Sequence, residues 1–433
     1  MVRWRGSINR LAPTERRALM ERGGDSTDAI RDAVRAILAE VRLGGDRALR
    51  QLTERFDGVS TPIEVPPELL WEALASLPES VRSALERARR NLITAHRAML
   101  PTAVEVEPEP GVLVRRTPVP IERIGVYAPG GRASYPSSVL MGVVPARVAG
   151  CREVLVCSPP GPDGLPARLT MAAAALAGAD RVFAVGGAQA IAALAYGTET
   201  IPRVDRIVGP GNGYVMEAKL QLANRVAIDS PAGPSELLVV ADSSASAELV
   251  AGELVAQSEH DPDAMVIAVM VGGGGWVEEL IGALAERVAA TPRREIVEAA
   301  LARRGAILTA ESLAEAADFA GELAPEHLLL AIADPDSHRK LFPNAGALFV
   351  GLSSSVTFGD YLSGGNHVLP TGGLARSYSG LSTHDFIRWT SEQRIEPAAA
   401  AALAEDVALL ATTEGLPGHA AAAAAWRRTE ARR

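Results

Sequence analysis

The feature that most constrains the fold is an alternation of short apolar segments with alanine-rich, helix-forming segments, which begins near residue 120. This βαβ pattern is typical of a parallel sheet covered by helices. Ten strands are predicted in two series, at residues 124–127, 154–157, 181–185, 206–208 and 226–228, and at residues 237–240, 264–271, 306–308, 328–332 and 347–350. An α/β fold with two Rossmann-like, doubly wound parallel-sheet domains fits two series better than one very wide sheet.

The regions on either side of this alternation predict helices. In the first hundred residues, apolar side chains recur at helical spacing after a plausible cap at Ser26, and the pattern breaks at Gly44 and Gly45. The apolar positions are Ile30, Val34, Ile37, Leu38 and Val41 before the break, and Leu49, Leu52 and Phe56 after it. The tail at 420–426 is mostly alanine, which favours a segment that docks on another surface, such as a second subunit.

The chain has 433 residues, which is long for one compact core. We expect an N-terminal helical arm at 1–24 and a second α/β domain, with cofactor-contacting turns, at 126–236. The first α/β domain is expected to be discontinuous, at 25–125 and 237–378. A small helical C-terminal tail domain at 379–433 would form the dimer contact.

Composition excludes several classes of protein. The formal net charge is −9 and no basic cluster is present, so a nucleic-acid partner is not expected. No apolar run is long enough for a bilayer, and the first residues lack the apolar core of a signal peptide. Two cysteines, Cys151 and Cys157, are too few for a disulfide framework. We therefore expect a cytoplasmic protein with no membrane partner.

Three glycine-rich turns follow predicted strands, at residues 127–131, 186–189 and 209–212. Glycine lets the backbone approach a ligand closely, and a following helix N-terminus favours phosphate. None of the three is a G-x-G-x-x-G fingerprint, and no P-loop is present. A nucleotide site and plain tight βα turns are therefore equally good readings. The glycines at 272–275 are read as a loop without a chemical role.

Polar side chains that suit metal or acid–base chemistry come from distant parts of the chain. His260 lies three residues after Gln257 near the end of a predicted helix, and a shared helix face is expected. Imidazole and carboxylate suit zinc, but without an H-E-x-x-H or C-x-x-C motif the spacing alone does not establish a site. The other candidates are Asp360 and His367 in a long polar segment at 351–373, and Glu414 and His419 in the tail.

The adjacent pair Glu326 and His327 precedes a predicted strand. A histidine beside a carboxylate suits proton transfer, although two exposed polar residues at a helix-to-strand junction would look the same in sequence. Cys157 ends an apolar strand, which favours a buried, inert thiol over a nucleophile. Three further histidines, His96, His338 and His384, have neighbours typical of a protein surface.

Taken together, these segments resemble histidinol dehydrogenase, the enzyme of the final steps of histidine biosynthesis. Eight stretches appear in the family's order between about residues 120 and 420: GVYAPGGRASYPSSVLM, VGGAQAIAALAYGTE, DRIVGPGN, AIDSPAGPSELLVVAD, AQSEHDPDA, LAPEHL, FGDYLSGGNHVLPTGG and EGLPGHA. Any one stretch is weak evidence, whereas eight in order are highly specific.

The resemblance implies a role for individual residues. The catalytic pair is Glu326 and His327, and the zinc ligands are Gln257, His260, Asp360 and His419. Cofactor contacts are Tyr127, Gln189 and Asn212. Substrate contacts are Ser235, Gln257, His260, His327, Asp360, His367, Glu414 and His419.

The resemblance also implies the reaction. Family members oxidise L-histidinol through L-histidinal to L-histidine with two NAD, and one Zn²⁺ per subunit anchors the substrate's nitrogens. His327 would take the alcohol proton, and Glu326 would help water attack the bound aldehyde. A homodimer is implied, in which the tail of one subunit completes the other's site.

Three other readings differ in what they require. A zinc- and NAD-dependent dehydrogenase of another small polar alcohol would use the same scaffold, although His367 and Glu414 match the expected recognition of histidinol. A zinc hydrolase would need no NAD. A non-catalytic two-domain binding protein would have no use for Glu326 and His327.

Overall fold

The computed structural model describes residues 1–22, 28–130, 134–273 and 275–428. Its strands are β1 Trp4–Ser7, β2 Val104–Glu109, β3 Val112–Pro120, β4 Arg123–Tyr127, β5 Glu153–Ser158, β6 Arg181–Ala184, β7 Arg206–Val208, β8 Ala227–Ile228, β9 Glu236–Ala241, β10 Met265–Val271, β11 Gly305–Ala310, β12 His327–Ala331, β13 Ala347–Val350 and β14 Ile387–Ile395. All ten predicted strands are therefore present.

The helices connect these strands and frame the sheets. They are α1 Pro13–Met20, α2 Asp28–Asp57, α3 Pro67–Ala75, α4 Glu79–Ala98, α5 Pro136–Ala149, α6 Arg168–Ala177, α7 Gly187–Tyr196, α8 Gly213–Leu222, α9 Ala247–Ser258, α10 Trp276–Ala290, α11 Arg294–Arg304, α12 Leu313–Leu323, α13 Pro335–His338, α14 Val356–Tyr361, α15 Pro397–Thr413 and α16 Pro417–Ala424. None of these helices, within the described ranges, combines the length and apolar character that a bilayer-spanning segment requires.

The chain divides into two compact units. The larger contains Met1–Met99 and Ile121–Phe386, and the smaller contains Leu100–Pro120 with the segment from Ile387 onward. Two parallel sheets lie in the larger unit, in the strand orders β1-β11-β10-β9-β12-β13 and β6-β5-β4-β7-β8. The prediction of a doubly wound α/β fold with two parallel sheets is thus confirmed.

Alternation of side chains along the strands explains how the six-stranded sheet is covered. Leu237 and Val239 of β9 pack with α9, α10 and α11 on one face. Leu238 and Val240 pack with α1 and α12 on the other. Because both faces are buried, these strands are apolar throughout, as is typical of parallel sheets.

The five-stranded sheet packs against α2, a helix that was predicted to belong to the other α/β domain. Val34 and Leu38 of α2 share a hydrophobic core with Leu155 of β5 and Ile191 of α7. This differs from the expectation that residues 25–125 accompany the other α/β domain. Periodicity identifies the apolar face of a helix but not its partner, which accounts for the difference.

The break at Gly44 and Gly45 is confirmed. Gly45 has φ +51° inside α2, and a Cβ there would overlap the carboxylate of Glu199. That carboxylate accepts a hydrogen bond from the backbone N–H of Asp46, at 2.8 Å. The proposed cap at Ser26 lies outside the described residues, as do Gly131 and Gly274 of the glycine-rich turns.

Two regions expected to be helical contain strands. The N-terminal arm carries β1, which pairs in parallel with β11 at the sheet edge. The smaller unit holds an antiparallel sheet in which β3 pairs with both β2 and β14. The tail at 379–433, expected to be helical, therefore contains the strand β14 before it continues into α15 and α16.

Candidate active site

Three of the four predicted metal ligands line one cavity of the larger unit. Gln257, His260 and Asp360 face a space of about 150 Å³ between the end of α9, α14 and the segment that leads into α5. The backbone N–H of Val356 donates to Glu253 Oε2 at 3.1 Å and ties the start of α14 to α9. The predicted long loop at 351–373 therefore contains a short helix, and that helix carries Asp360 to the cavity.

The end of α9 gives its two polar residues different surroundings. Gln257 lies in the last turn and is buried, whereas α9 stops at Ser258 and His260 is exposed beyond it. The two residues therefore do not lie on one helix, because α9 ends between them, but both side chains line the same cavity. The amide Nε2 of Gln257 lies 3.5 Å from Nδ1 of His327.

The predicted catalytic pair is buried where two neighbouring strands begin. Glu326 and His327 are 7 % and 3 % exposed, so the reading as two exposed junction residues is wrong. β12 starts at His327, which pairs with Leu237 near the start of β9. The imidazole Nδ1 lies 3.4 Å from Glu326 Oε2, and Nε2 lies 3.7 Å from Asp360 Oδ1.

These contacts decide the protonation of His327. Burial alone would lower the pKa of the imidazole, but the carboxylates of Glu326 and Asp360 outweigh burial and raise that pKa to about 9. The backbone carbonyl of Glu236, 3.0 Å from Nδ1, favours a proton on that nitrogen. Nε2 has no hydrogen-bond partner among the described residues, and its nearest carboxylate is Asp360, on the cavity wall.

A buried ion pair contacts the predicted catalytic pair through Glu236. Arg22 Nε donates to Glu236 Oε1 at 2.9 Å, and Arg22 Nη2 donates to Glu236 Oε2 at 3.0 Å. Glu236 Oε1 also accepts from the N–H of Gly372 at 2.8 Å. Sequence reasoning missed both charged residues. A glutamate directly before the apolar run 237–240 was the available signal, since a charge there must find a partner.

The two other predicted substrate contacts in this unit, His367 and Ser235, lie close to Asp360 and Glu236 respectively. His367 Nδ1 is 3.0 Å from the carbonyl oxygen of Asp360, and burial lowers the pKa of His367. Ser235 immediately precedes β9 and is half-buried, and its carbonyl accepts from the N–H of Met265 at 2.9 Å.

The three predicted cofactor positions lie at the carboxyl ends of strands in the five-stranded sheet. Tyr127 ends β4, the strand at which the sheet order changes direction, and ligands of parallel sheets bind at such points. Its Oη accepts from the N–H of Gly187 at 3.1 Å, next to the buried Gln189. Asn212 is exposed after β7, and its Oδ1 caps α8 by accepting from the N–H of Tyr214 at 3.1 Å and of Val215 at 3.2 Å.

The last two predicted site residues lie in the smaller unit. Glu414 is the residue at the end of α15, and His419 lies in α16. Both side chains are exposed. Within the described ranges, no group of three or more histidine, cysteine, aspartate or glutamate side chains converges to hold a metal ion.

The donor set of the cavity nevertheless fits zinc. An imidazole, a carboxylate and an amide oxygen are hard or borderline ligands of the kind zinc accepts, and catalytic zinc has an open position besides its protein ligands. Three of the predicted donors lie in the larger unit, and the side chain of the fourth, His419, is exposed in the smaller unit.

The thiols play no part in this site. Cys157 is fully buried and Cys151 nearly so, and neither forms a disulfide. Burial raises the pKa of Cys157 far above the ordinary range for a thiol and that of Cys151 to about 12. The predicted burial of Cys157 is therefore confirmed, and an inert thiol remains the expectation. By contrast, His96 is buried, with 1 % exposure, where a surface position was expected.

Comparison with known proteins gives one consistent result. The sequence profile of the family described as histidinol dehydrogenase matches residues 20–427. A histidinol dehydrogenase of Methanosarcina mazei is 45% identical over 415 residues, covering 95% of each chain. One of Natronomonas pharaonis is 46% identical over 411 residues, covering 95% of this chain and 96% of the relative.

A solved structure agrees with the sequence matches. The crystal structure of histidinol dehydrogenase from Elizabethkingia anophelis superposes with a TM-score of 0.93 at 33% identity, covering 99% of this chain and 98% of that one. Enzymes of this family are NAD-dependent, zinc-binding oxidoreductases that act on an alcohol and an aldehyde. The two parallel sheets, the buried Glu326–His327 pair and these matches lead to one conclusion: the chain belongs to the histidinol dehydrogenase family.

Proposed function

We propose that this chain oxidises L-histidinol to L-histidine through L-histidinal, in the last steps of histidine biosynthesis. The observation that carries the proposal is the position of His327. Its buried imidazole lies between the carboxylates of Glu326 and Asp360, beside a cavity that Gln257, His260 and Asp360 line.

The chain's residues divide into those that hold cofactors and those that move protons. Gln257, His260, Asp360 and His419 would hold zinc, and Tyr127, Gln189 and Asn212 would contact NAD. Zinc, when bound, supplies positive charge that anchors the substrate's nitrogens and offsets the charge of Asp360. NAD supplies the two-electron acceptor for each oxidation. The balance is histidinol, water and two NAD⁺ giving histidine, two NADH and three protons.

His327 is the base for the alcohol. Its Nε2 has no hydrogen-bond partner among the described residues. Once zinc offsets the charge of Asp360 that helps to raise the pKa of this imidazole, Nε2 would be free of its proton and could receive the hydroxyl proton as the carbinol carbon loses hydride. Glu236 and Glu326 hold the ring from the Nδ1 side, which fixes the orientation of Nε2. The buried surroundings exclude bulk water from that proton transfer.

Glu326 serves the aldehyde step. A carboxylate adjacent to the bound aldehyde accepts a proton from water as the water oxygen adds to the carbonyl carbon. The resulting hydrate loses its second hydride, and a carboxylic acid remains. Ser235, which directly precedes Glu236, and His367, which contacts the carbonyl oxygen of Asp360, would contact the substrate.

The tail gives a reason for dimer formation. Glu414 and His419 are exposed on the smaller unit, and so are Leu409, Leu410 and Trp426. We infer that this surface packs in a homodimer, where the tail of one subunit completes the other's site with a substrate contact and a zinc ligand. Free buried thiols also favour a reducing, cytoplasmic location.

The experiment compares two variants on two substrates, L-histidinol and L-histidinal. His327→Asn should lower kcat on the alcohol by about 10²–10⁴-fold, the usual contribution of a general base. Glu326→Gln should lower kcat on the aldehyde more than on the alcohol. His384→Asn, at an exposed histidine, is the matched control and should behave like the unchanged protein. A folded His327→Asn variant with undiminished activity contradicts the assignment.

A further inference from the structure

A buried ion pair in the five-stranded-sheet region is not used by the metal cavity. Lys219 of α8 binds Asp229, which directly follows β8, and their side chains are 8 % and 4 % exposed. Such a pair is a poor source of stability, because desolvation of both charges offsets their attraction. Its contacts indicate a role other than stability.

Both members of the pair also bind one backbone residue. Lys219 Nζ donates to the carbonyl oxygen of Gly209 at 2.7 Å. Asp229 Oδ2 accepts from the N–H of Gly209, also at 2.7 Å. The ion pair thus holds Gly209 by both of its polar backbone groups, at the first position of the turn at 209–212.

Gly209 in turn lies against the end of β4. It has φ +112°, and a Cβ at this position would overlap the carbonyl oxygen of Tyr127. Only glycine tolerates both this conformation and this close approach. Asn212, three residues later, caps α8, the helix that carries Lys219. The turn is therefore fixed at both ends: the ion pair binds Gly209 at its start, and Asn212 at its end caps α8.

We propose that Lys219 and Asp229 are positioning residues that fix the 209–212 turn in the conformation that receives the dinucleotide. The inference rests on the proposed function, in which Tyr127 and Asn212 contact NAD. It also accounts for binding without a G-x-G-x-x-G fingerprint. In the G-x-G-x-x-G motif the spacing of the glycines sets the conformation of the phosphate-binding turn. Here the buried ion pair would set the conformation of the turn at 209–212.

The test measures NAD binding apart from turnover. Lys219→Met leaves the turn carbonyl without its donor, and the dissociation constant of NAD, by titration calorimetry without substrate, should rise about tenfold or more. In steady-state assays, KM for NAD should rise while KM for histidinol stays within about twofold. A purely structural role would not separate the two constants.

The matched control breaks another ion pair at the same sheet. Arg181→Met removes the contact of Arg181 with Glu64, which are 30% and 34% exposed, without touching the turn. It should lower stability and leave NAD affinity unchanged. If Lys219→Met fails to fold, Lys219→Gln/Asp229→Asn removes both charges together and should also weaken NAD binding.

The outcomes are distinct. A folded variant of the pair that binds NAD within about twofold of the unchanged protein overturns the inference. Failure of the unchanged protein and of Arg181→Met to bind NAD would instead overturn the proposed cofactor site, and the inference with it. Weakened binding in the pair variants alone supports the positioning role.

Discussion

Glu236 and Glu326 are joined by reciprocal hydrogen bonds at the starts of neighbouring strands. The N–H of Glu236 donates to Glu326 Oε2 at 2.7 Å, and the N–H of Glu326 donates to Glu236 Oε2 at 3.3 Å. Since Glu236 also binds Arg22, one buried charge pair fixes the carboxylate that lies beside His327. The position of the proposed catalytic pair is thus set by a residue outside the pair.

We expect Glu236→Gln to lower both stability and turnover. The substitution leaves the Arg22 guanidinium buried without its counter-charge, and loss of one partner of such a pair costs about 3–5 kcal/mol. Urea unfolding and kcat on histidinol measure the two effects. Glu322→Gln, which breaks the exposed contact with Arg16, should cost no more than about 1 kcal/mol. Equal effects of the two substitutions would contradict the role of Glu236.

Cys157→Ala should retain the aldehyde oxidation. A thiol nucleophile requires access and a thiolate, and Cys157 has neither, since it is fully buried and its pKa is raised. The kcat on L-histidinal should stay within about threefold, whereas loss of a covalent nucleophile costs orders of magnitude. An inactive but folded variant would show that the aldehyde is oxidised through a thioester.

His96 makes stability depend on pH. Burial lowers its pKa, and neither ring nitrogen has a hydrogen-bond partner among the described residues. The unfolded chain, whose histidine has a pKa of about 6.5, therefore takes up the proton more readily. Stability is fully present above that pH and falls toward the lower folded-state pKa, by up to about 1.4 kcal/mol per pH unit.

The variant His96→Leu should consequently lose less stability on acidification than the unchanged protein. Urea unfolding at about pH 7 and pH 5 measures the difference, on either side of the ordinary histidine pKa. His384→Leu, at an exposed position, should keep the original dependence. A His96→Leu variant with the original dependence would assign the acid sensitivity to other groups.

What the sequence could predict depended on whether the signal was local. Strands such as β9 were predicted because burial on both faces leaves an unbroken apolar run, as in Leu237–Val240. β1 was missed because its sequence, WRGS, has only one buried apolar residue and therefore no apolar run. β2 is exposed throughout, and its valine–glutamate alternation followed by Pro110 and Gly111 was the signal that a hairpin follows.

The site was less accessible to sequence reasoning than the fold. Glu326 and His327 stood out because they are adjacent, but their burial follows from packing between strands far apart in sequence. Arg22 and Glu236 are 214 positions apart, and no local pattern links them. The metal and cofactor positions came from resemblance to a family, since neither spacing nor a glycine fingerprint identified them.

Gly45→Ala should destabilise the protein by about 1–2 kcal/mol, since its positive φ strains any side chain and a Cβ would displace the carboxylate of Glu199. Gly282→Ala is the matched control, because Gly282 is exposed within α10 with open space around it. It should stabilise the protein by up to about 1 kcal/mol. Thermal unfolding compares them, and equal shifts would contradict the constraint at Gly45.

The most direct test of the central claim is to count products when zinc-loaded protein is incubated with L-histidinol and NAD. The account predicts two NADH for each histidine formed, with loss of activity on chelation and recovery when zinc is returned. Folded, zinc-loaded protein that forms no NADH from histidinol would contradict the account and indicate another polar alcohol as the substrate. One NADH per substrate, with L-histidinal released, would contradict the second oxidation and the role given to Glu326.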